Sequence, residues 1–337
     1  MSKHRQTPSK NSKPGSGRKN LALFIKAAVT LALIYWLIAR VDVETVRHTL
    51  AQSNLAYILL SFFTLSAVFS VGCIRWWVLI GHLGLSIPFR QVLPSYYLGV
   101  FFNNFLPTGV GGDVVRTVHL NLRGHSAKSL ISSALADRFI GLVVMLLMGA
   151  ISILLSPELR VEEDQKVYLI ALIALGVLSG ALLFWFSDRL PMESLSRRYQ
   201  HTRIRKAILD IIRLCLTYRT AVKPVFAAML LSIVVQSLAI LTYYLLANSI
   251  GIELSLVTFF AFVSIVQLAT SLPISIGGLG IREGAMVALL TSVNVDVHLA
   301  ATLSLLFLLV LWLCTLPGAV VLLLDKGRRS VSARETA

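Results

Sequence analysis

Six stretches of this chain, residues 21–39, 55–81, 129–155, 167–187, 225–250 and 298–324, are long apolar runs almost free of charge. A helix needs roughly 20 mostly apolar residues to cross the hydrocarbon of a bilayer, and there every backbone N–H and C=O must find its partner inside the protein. The chain is therefore expected to be an all-α, polytopic membrane protein. Composition agrees: 56% of the 337 residues are hydrophobic, 14% are charged and the mean hydropathy is +0.78. Soluble domains carry about a quarter charged residues. The first run reads as an uncleaved anchor, because it is long and no small-residue cleavage site follows it.

Several function classes fall away. Cys73, Cys215 and Cys314 make no disulfide framework, and no C-x-x-C or H-E-x-x-H spacing offers a metal site. No G-x-x-x-x-G-K-[ST] phosphate loop is present, so no cofactor and no ATP-driven step are expected. The net charge of +15 and the pI of 10.1 would suggest nucleic acid in a soluble chain. Position decides against it. Residues 1–20 hold Lys3, Arg5, Lys10, Lys13, Arg18 and Lys19 with no acid, a disordered basic cytoplasmic tail, and 326–337 forms a second tail. Basic juxtamembrane residues are explained by cytoplasmic retention and anionic lipid.

Two further apolar stretches are broken: 92–106, which ends at Asn103, Asn104 and Pro107, and 255–293, interrupted by Pro273 and by Gly277, Gly278 and Gly280. If both return to the side they came from, the great majority of lysines and arginines fall on one face. If 92–106 crossed, the basic segment 188–223 would be stranded on the other. The expectation is six full spans plus two oppositely oriented re-entrant hairpins in the cytoplasmic (inner) membrane, with both termini in the cytoplasm. Within 188–223, Ile204, Ile208, Ile211, Cys215 and Tyr218 lie opposite Arg205, Lys206 and Arg213 at helical spacing, as in an interfacial amphipathic helix.

The two broken segments repeat each other without a gap. Leu106, Pro107, Gly111, Gly112, Val115 and Arg116 recur as Leu272, Pro273, Gly277, Gly278, Ile281 and Arg282, each displaced by 166 residues. Paired interruptions in oppositely oriented halves are the sequence sign of a substrate site in inverted-repeat transporters. Proline ends a helix and glycine permits close backbone approach, and the freed backbone groups are tolerated at depth only against protein or a polar cavity. A helix starting after Gly112 or Gly280 would aim its positive end, with Arg116 or Arg282, at an anion.

Charges inside apolar segments are costly and mark partners or water-filled cavities. They are Lys26, Arg75, Asp137, Arg138, Arg282 and Glu283. Lys26 lies close enough to a helix end to snorkel. Arg75, beside Trp76 and Trp77, is left between an interfacial and a functional role. Adjacent helical positions diverge, so Asp137 and Arg138 should each find a partner elsewhere; in the functional reading Arg138 and Arg116 share an anion while Asp137 positions one of them. His119 and His125 read as solvated loop residues. Ser132 and Ser133 have no histidine placed to activate them, so no catalytic constellation is visible.

The pattern Asn104-x-x-Pro107-x-x-x-Gly111-Gly112-Asp113-x-x-Arg116, then Asp137-Arg138-x-x-Gly141, then Pro273-x-x-x-Gly277-Gly278-x-Gly280-x-Arg282-Glu283, resembles the lysylphosphatidylglycerol synthase transmembrane-region family. These are flippase-like membrane proteins, and the likeness runs from about residue 21 to 325. It implies a multi-pass membrane domain related to the lipid-moving part of aminoacyl-phospholipid synthases. Full-length synthases carry a large soluble transferase domain; here only a short tail follows Arg329, so the chain is not expected to make lysylphosphatidylglycerol itself, and with no catalytic constellation it is not expected to be an enzyme. Where the family commonly has Glu-Arg, this sequence has Asp137-Arg138.

The leading expectation is a lipid translocase whose hairpins form a polar path for an anionic or modified, phosphate-bearing headgroup. Two other readings stay open: a non-catalytic partner of an envelope lipid or glycan enzyme, acting through 188–223, and a membrane transferase using Asp113, Asp137 and Glu283. Oligomeric state is not legible, since Gly176-x-x-x-Gly180 suits internal helix packing as well as a dimer.

Overall fold

The computed structural model describes residues 43–106, 110–156, 218, 221–271 and 275–335. The tail 1–20, the expected spans 21–39 and 167–187, most of the loop 188–223, and Pro107 and Pro273 lie outside them. Every regular element among the described residues is a helix: α1 (Val43–Gln52), α2 (Leu55–His82), α3 (Phe89–Asn103), α4 (Gly111–Asn121), α5 (Ala127–Leu155), α6 (Val222–Ser249), α7 (Leu256–Ser271), α8 (Ile281–Ser292) and α9 (Val297–Glu335).

Four of them are long and apolar enough to span: α2, α5, α6 and the Val297–Asp325 part of α9. They fall within a few residues of four expected spans. Local chemistry sets their starts. The Asn54 side chain accepts the Ala56 N–H at 3.0 Å to cap α2, and Ser126 caps α5 through the Ser129 N–H. Outward-facing Leu59, Phe63, Phe139, Leu146, Leu309 and Leu316 would be an aggregation hazard in water. In lipid they are the solvated surface.

Helices α2 and α6 run antiparallel along their length. Asn54 N–H donates to Ser249 O at 2.9 Å at one end, Thr64 and Thr242 hydroxyls pair at 2.9 Å, and Arg75 Nη1 donates to Ser232 Oγ at 2.9 Å further along. This frame fixes the direction of both broken segments. Helices α3 and α4 have only 15 and 11 residues, and α7 and α8 only 16 and 12, each too short to cross alone.

Helix α4 folds back along α3 in register. Gly112 N–H donates to Asn103 Oδ1 at 2.8 Å near the tip, Ser95 Oγ meets His119 Nδ1 at 2.7 Å, and Gln91 Oε1 meets His125 Nε2 at 3.1 Å at the base. This first hairpin hangs from the end where α2 finishes. The second, α7–α8, hangs from the opposite end, where α6 finishes. Their tips meet through a 3.3 Å bond from Gly277 N–H to Leu106 O. Two oppositely oriented re-entrant hairpins are thus present, as the sequence implied.

Each hairpin has its own apolar core. Cys73, Trp76, Ile80, Val92, Leu120 and Leu130 bury the first against α2 and α5, while Leu246, Phe259, Phe262, Met286, Leu290 and Leu303 bury the second against α6 and α9. One expectation is corrected. The stretch after the first tip is not a solvated loop: α4 fills most of it and His119 is buried, bonded to Ser95 and, at 2.5 Å, to Asp325 of α9. Its side chain sits on the α4 face that packs against α3 and α9, so it is not exposed to water.

Candidate functional site

The first hairpin can close only because Gly99 and Gly112 oppose each other. A Cβ on Gly99 would lie 2.6 Å from Gly112 O, so any larger residue would push α4 off α3. In the second, Gly277, Gly278 and Gly280 have φ of 61°, 76° and 81°, a region open to glycine at little cost. A Cβ on Gly277 would fall 2.5 Å from Asn104 O, so glycine is also what lets the tips touch. The sequence repeat is therefore not a backbone repeat. Gly111 and Gly112 are helical, whereas their counterparts Gly277 and Gly278 form the left-handed turn before α8.

Around this junction lies an open cavity of ≈ 450 Å³. The first hairpin supplies Asn103, Gly112, Asp113 and Arg116, helices α2 and α5 supply Arg75, Asp137 and Arg138, and the second hairpin supplies Gln267, Thr270 and Arg282. Tyr243 and Phe307, stacked 3.9 Å apart, form part of an apolar wall.

The charges form a chain. Arg75 Nε donates to Asp137 Oδ1 at 2.6 Å, and Arg116 Nη2 donates to Asp137 Oδ2 at 3.0 Å. The same Arg116 nitrogen lies 3.0 Å from Asp113 Oδ1, and Arg138 holds Asp113 Oδ2 through Nε at 2.9 Å and Nη2 at 2.8 Å. Charges alternate from Arg75 through Asp137, Arg116 and Asp113 to Arg138, linking α2, α5 and α4. Trp76 and Tyr96 cover Arg116, its Cζ lying 4.2 Å and 5.2 Å from their ring centroids, a cation–π seat. Yet Arg116 Nε, buried, has no hydrogen-bond partner among the described residues.

The second hairpin is arranged differently. Glu283 accepts Gly280 N–H on Oε2 at 2.6 Å and caps α8, while its Oε1 takes Arg282 Nε and Nη2 at 3.0 and 2.8 Å. The Arg282 guanidinium lies 5.4 Å from the Phe307 ring centroid. The positive end of α8 is thus met by the protein's own carboxylate.

Of the residues singled out from the sequence, Gly112, Asp113, Arg116, Asp137, Arg138 and Arg282 line the cavity. Gly277 closes the tip contact, Gly278 packs on Thr270, and Gly280 and Glu283 set the start of α8. Gly111 is buried at the start of α4, and Asn104 turns away to donate to Thr315 Oγ1 at 3.0 Å. Its neighbour Asn103, passed over, is the one at the cavity. Arg75 is resolved as a buried partner of Asp137, which the sequence left open. Also missed were the aromatic seat of Arg116 and the Ser95–His119–Asp325 chain; the dense aromatics 76–77 and 96–97 were the visible signal for the first.

Grouped arginines on two half-depth helices, with carboxylates to hold them apart, can bind and release an anion at membrane depth. The sequence matches over 313 residues a UPF0104 membrane protein of Methanocaldococcus jannaschii at 22% identity, covering 88% of this chain and 93% of that one. The family model for the lysylphosphatidylglycerol synthase TM region matches residues 23–318. That match, over most of its length, places this multi-pass membrane protein in the lysylphosphatidylglycerol synthase TM region family.

Proposed function

We propose that the protein moves a lipid headgroup between the leaflets of the cytoplasmic membrane, with both termini in the cytoplasm, and that it acts as a carrier rather than a catalyst. One observation carries the reading. Arg116, Arg138 and Arg282, from both hairpin elements and α5, converge on one open cavity at the place where two half-depth hairpins meet. A guanidinium grips phosphate through a planar fork, and a cavity bounded by lipid-facing helices lets acyl chains stay in the bilayer while the headgroup passes. The substrate class is therefore a phosphate-bearing headgroup, with no resident cofactor.

Arg138 and Arg282 are the residues to change, because Arg116 is tied into the buried core of the site. Reconstituted into liposomes with fluorescent phosphatidylglycerol, wild-type protein is expected to make the inner-leaflet label accessible to dithionite. Arg138→Ala and Arg282→Ala should fall to the empty-liposome rate while eluting as folded protein. Folded variants with wild-type rates would remove the assignment.

A further inference from the structure

The three carboxylates at the site are not equivalent. Asp137 is sealed, its side chain 5% exposed, with one oxygen on Arg75 and the other on Arg116. Glu283, 3% exposed, is bound to the backbone as the cap of α8. Asp113 differs. Like Asp137 it lines the cavity between two arginines from different helices, but its side chain is 16% exposed, the most open of the three. Arg138 turns its Nε and Nη2 onto a single Asp113 oxygen, the guanidinium edge that can grip two oxygens of a phosphate in a fork.

A second observation points to a missing acceptor. Arg116 is 4% exposed and its Nη2 serves two carboxylates, yet among the described residues its Nε finds no acceptor. Buried donors are nearly always satisfied. Two carboxylate oxygens at this corner leave one donor over, whereas a phosphate presents more acceptors around one centre.

We propose that Asp113 is a built-in counter-anion that occupies the headgroup position and is displaced when a phosphate group binds. This deepens, and rests on, the headgroup reading above. The Asp113 carboxylate holds Arg116 and Arg138 splayed and charge-balanced while the site is empty, then swings into the cavity as the ligand takes over the fork. Binding is therefore a competition between a tethered carboxylate and a lipid phosphate. The consequence is opposite to that of a direct ligand contact: neutralising this acid strengthens binding.

The test is equilibrium binding of dioctanoyl-phosphatidylglycerol to the purified full chain in detergent, with dioctanoylglycerol, which lacks the phosphate, as the reference. Asp113→Asn should tighten the phospholipid at least about tenfold, the lower end of the coupling of one close charge pair, and leave dioctanoylglycerol unchanged. Arg138→Gln should abolish the difference between the two lipids. If Asp113→Asn does not fold, Asp113→Ser, neutral and tolerated in a first helical turn, gives the same reading. Unchanged or weaker phospholipid binding in the neutral variant, with the Arg138→Gln loss intact, overturns the counter-anion and keeps the headgroup site. No preference for phospholipid in any protein overturns both. Inorganic phosphate is titrated in parallel; binding with the same gain in Asp113→Asn supports displacement but assigns the site to a free anion and overturns the lipid.

Discussion

Asp137→Ala is the severest single test of the site's architecture. The carboxylate bridges Arg75 at 2.6 Å and Arg116 at 3.0 Å, and both arginines are buried, 8% and 4% exposed. Removing one partner of a buried pair costs about 3–5 kcal/mol because the other charge is left uncompensated. Here two charges lose their bridge. Arg75 retains Ser232 and Arg116 retains Asp113, which holds the cost within that range. At roughly 2–4 °C of Tm per kcal/mol for a domain of a few hundred residues, the expected loss is about 10 °C. A thiol-reactive dye reads it directly, since Cys73 and Cys314 are buried in the folded protein. The double variant Arg75→Leu with Asp137→Leu should recover a substantial part of the loss, because the buried charge and its partner leave together. A wild-type Tm for Asp137→Ala, or a double variant whose losses simply add, would refute the bridging role.

Two other perturbations follow from the same geometry. Gly277→Ala forces φ of 61° on a residue with a Cβ and drives that atom against Asn104 O; it should cost on the order of 1–3 kcal/mol and part the hairpin tips, read as a lower Tm together with an altered transport rate. Asp325→Asn weakens the grip of α9 on His119, 2.5 Å away, and Arg123, 3.6 Å away; hydrogen exchange should rise in α3 and α4 with little change in α7 and α8, and uniform protection across both hairpins would contradict it.

Much of this architecture was legible because bilayer physics leaves few choices. A run such as 298–324 reads as a spanning helix, whereas 92–106 is short and 255–293 is broken by Pro273 and three glycines, so length alone left open whether they cross. The distribution of basic residues then argued for hairpins that return rather than cross. Pairing was less legible. Nothing local links Arg75 to Asp137, 62 residues on, or His119 to Asp325, 206 residues on; such contacts are decided by how α2, α5 and α9 pack. Gly111 and Gly112 misled in another way. Their low helix propensity, about 1 kcal/mol each, reads as a break, yet the opposition of Gly112 to Gly99 draws α4 onto α3 and outweighs it. The charges that line the cavity were singled out, but Asp113 gave no sign that its own carboxylate would sit between Arg116 and Arg138.

The junction of the two hairpins also has a mechanical meaning. A spanning helix meets the bilayer as one covalent rod whose hydrogen-bond ladder resists shortening. Where the hairpins meet, the same thickness is assembled from two half-rods, and the described bond across the joint is a single one, Gly277 N–H to Leu106 O. Sliding or parting there breaks no helical ladder. Among the described elements the joint is thus the softest along the membrane normal, and a thinner or thicker bilayer, which strains a protein by fractions of a kcal/mol per ångström of mismatch, should be felt at the cavity. Acyl-chain length should accordingly tune this protein more strongly than it tunes one built from unbroken helices.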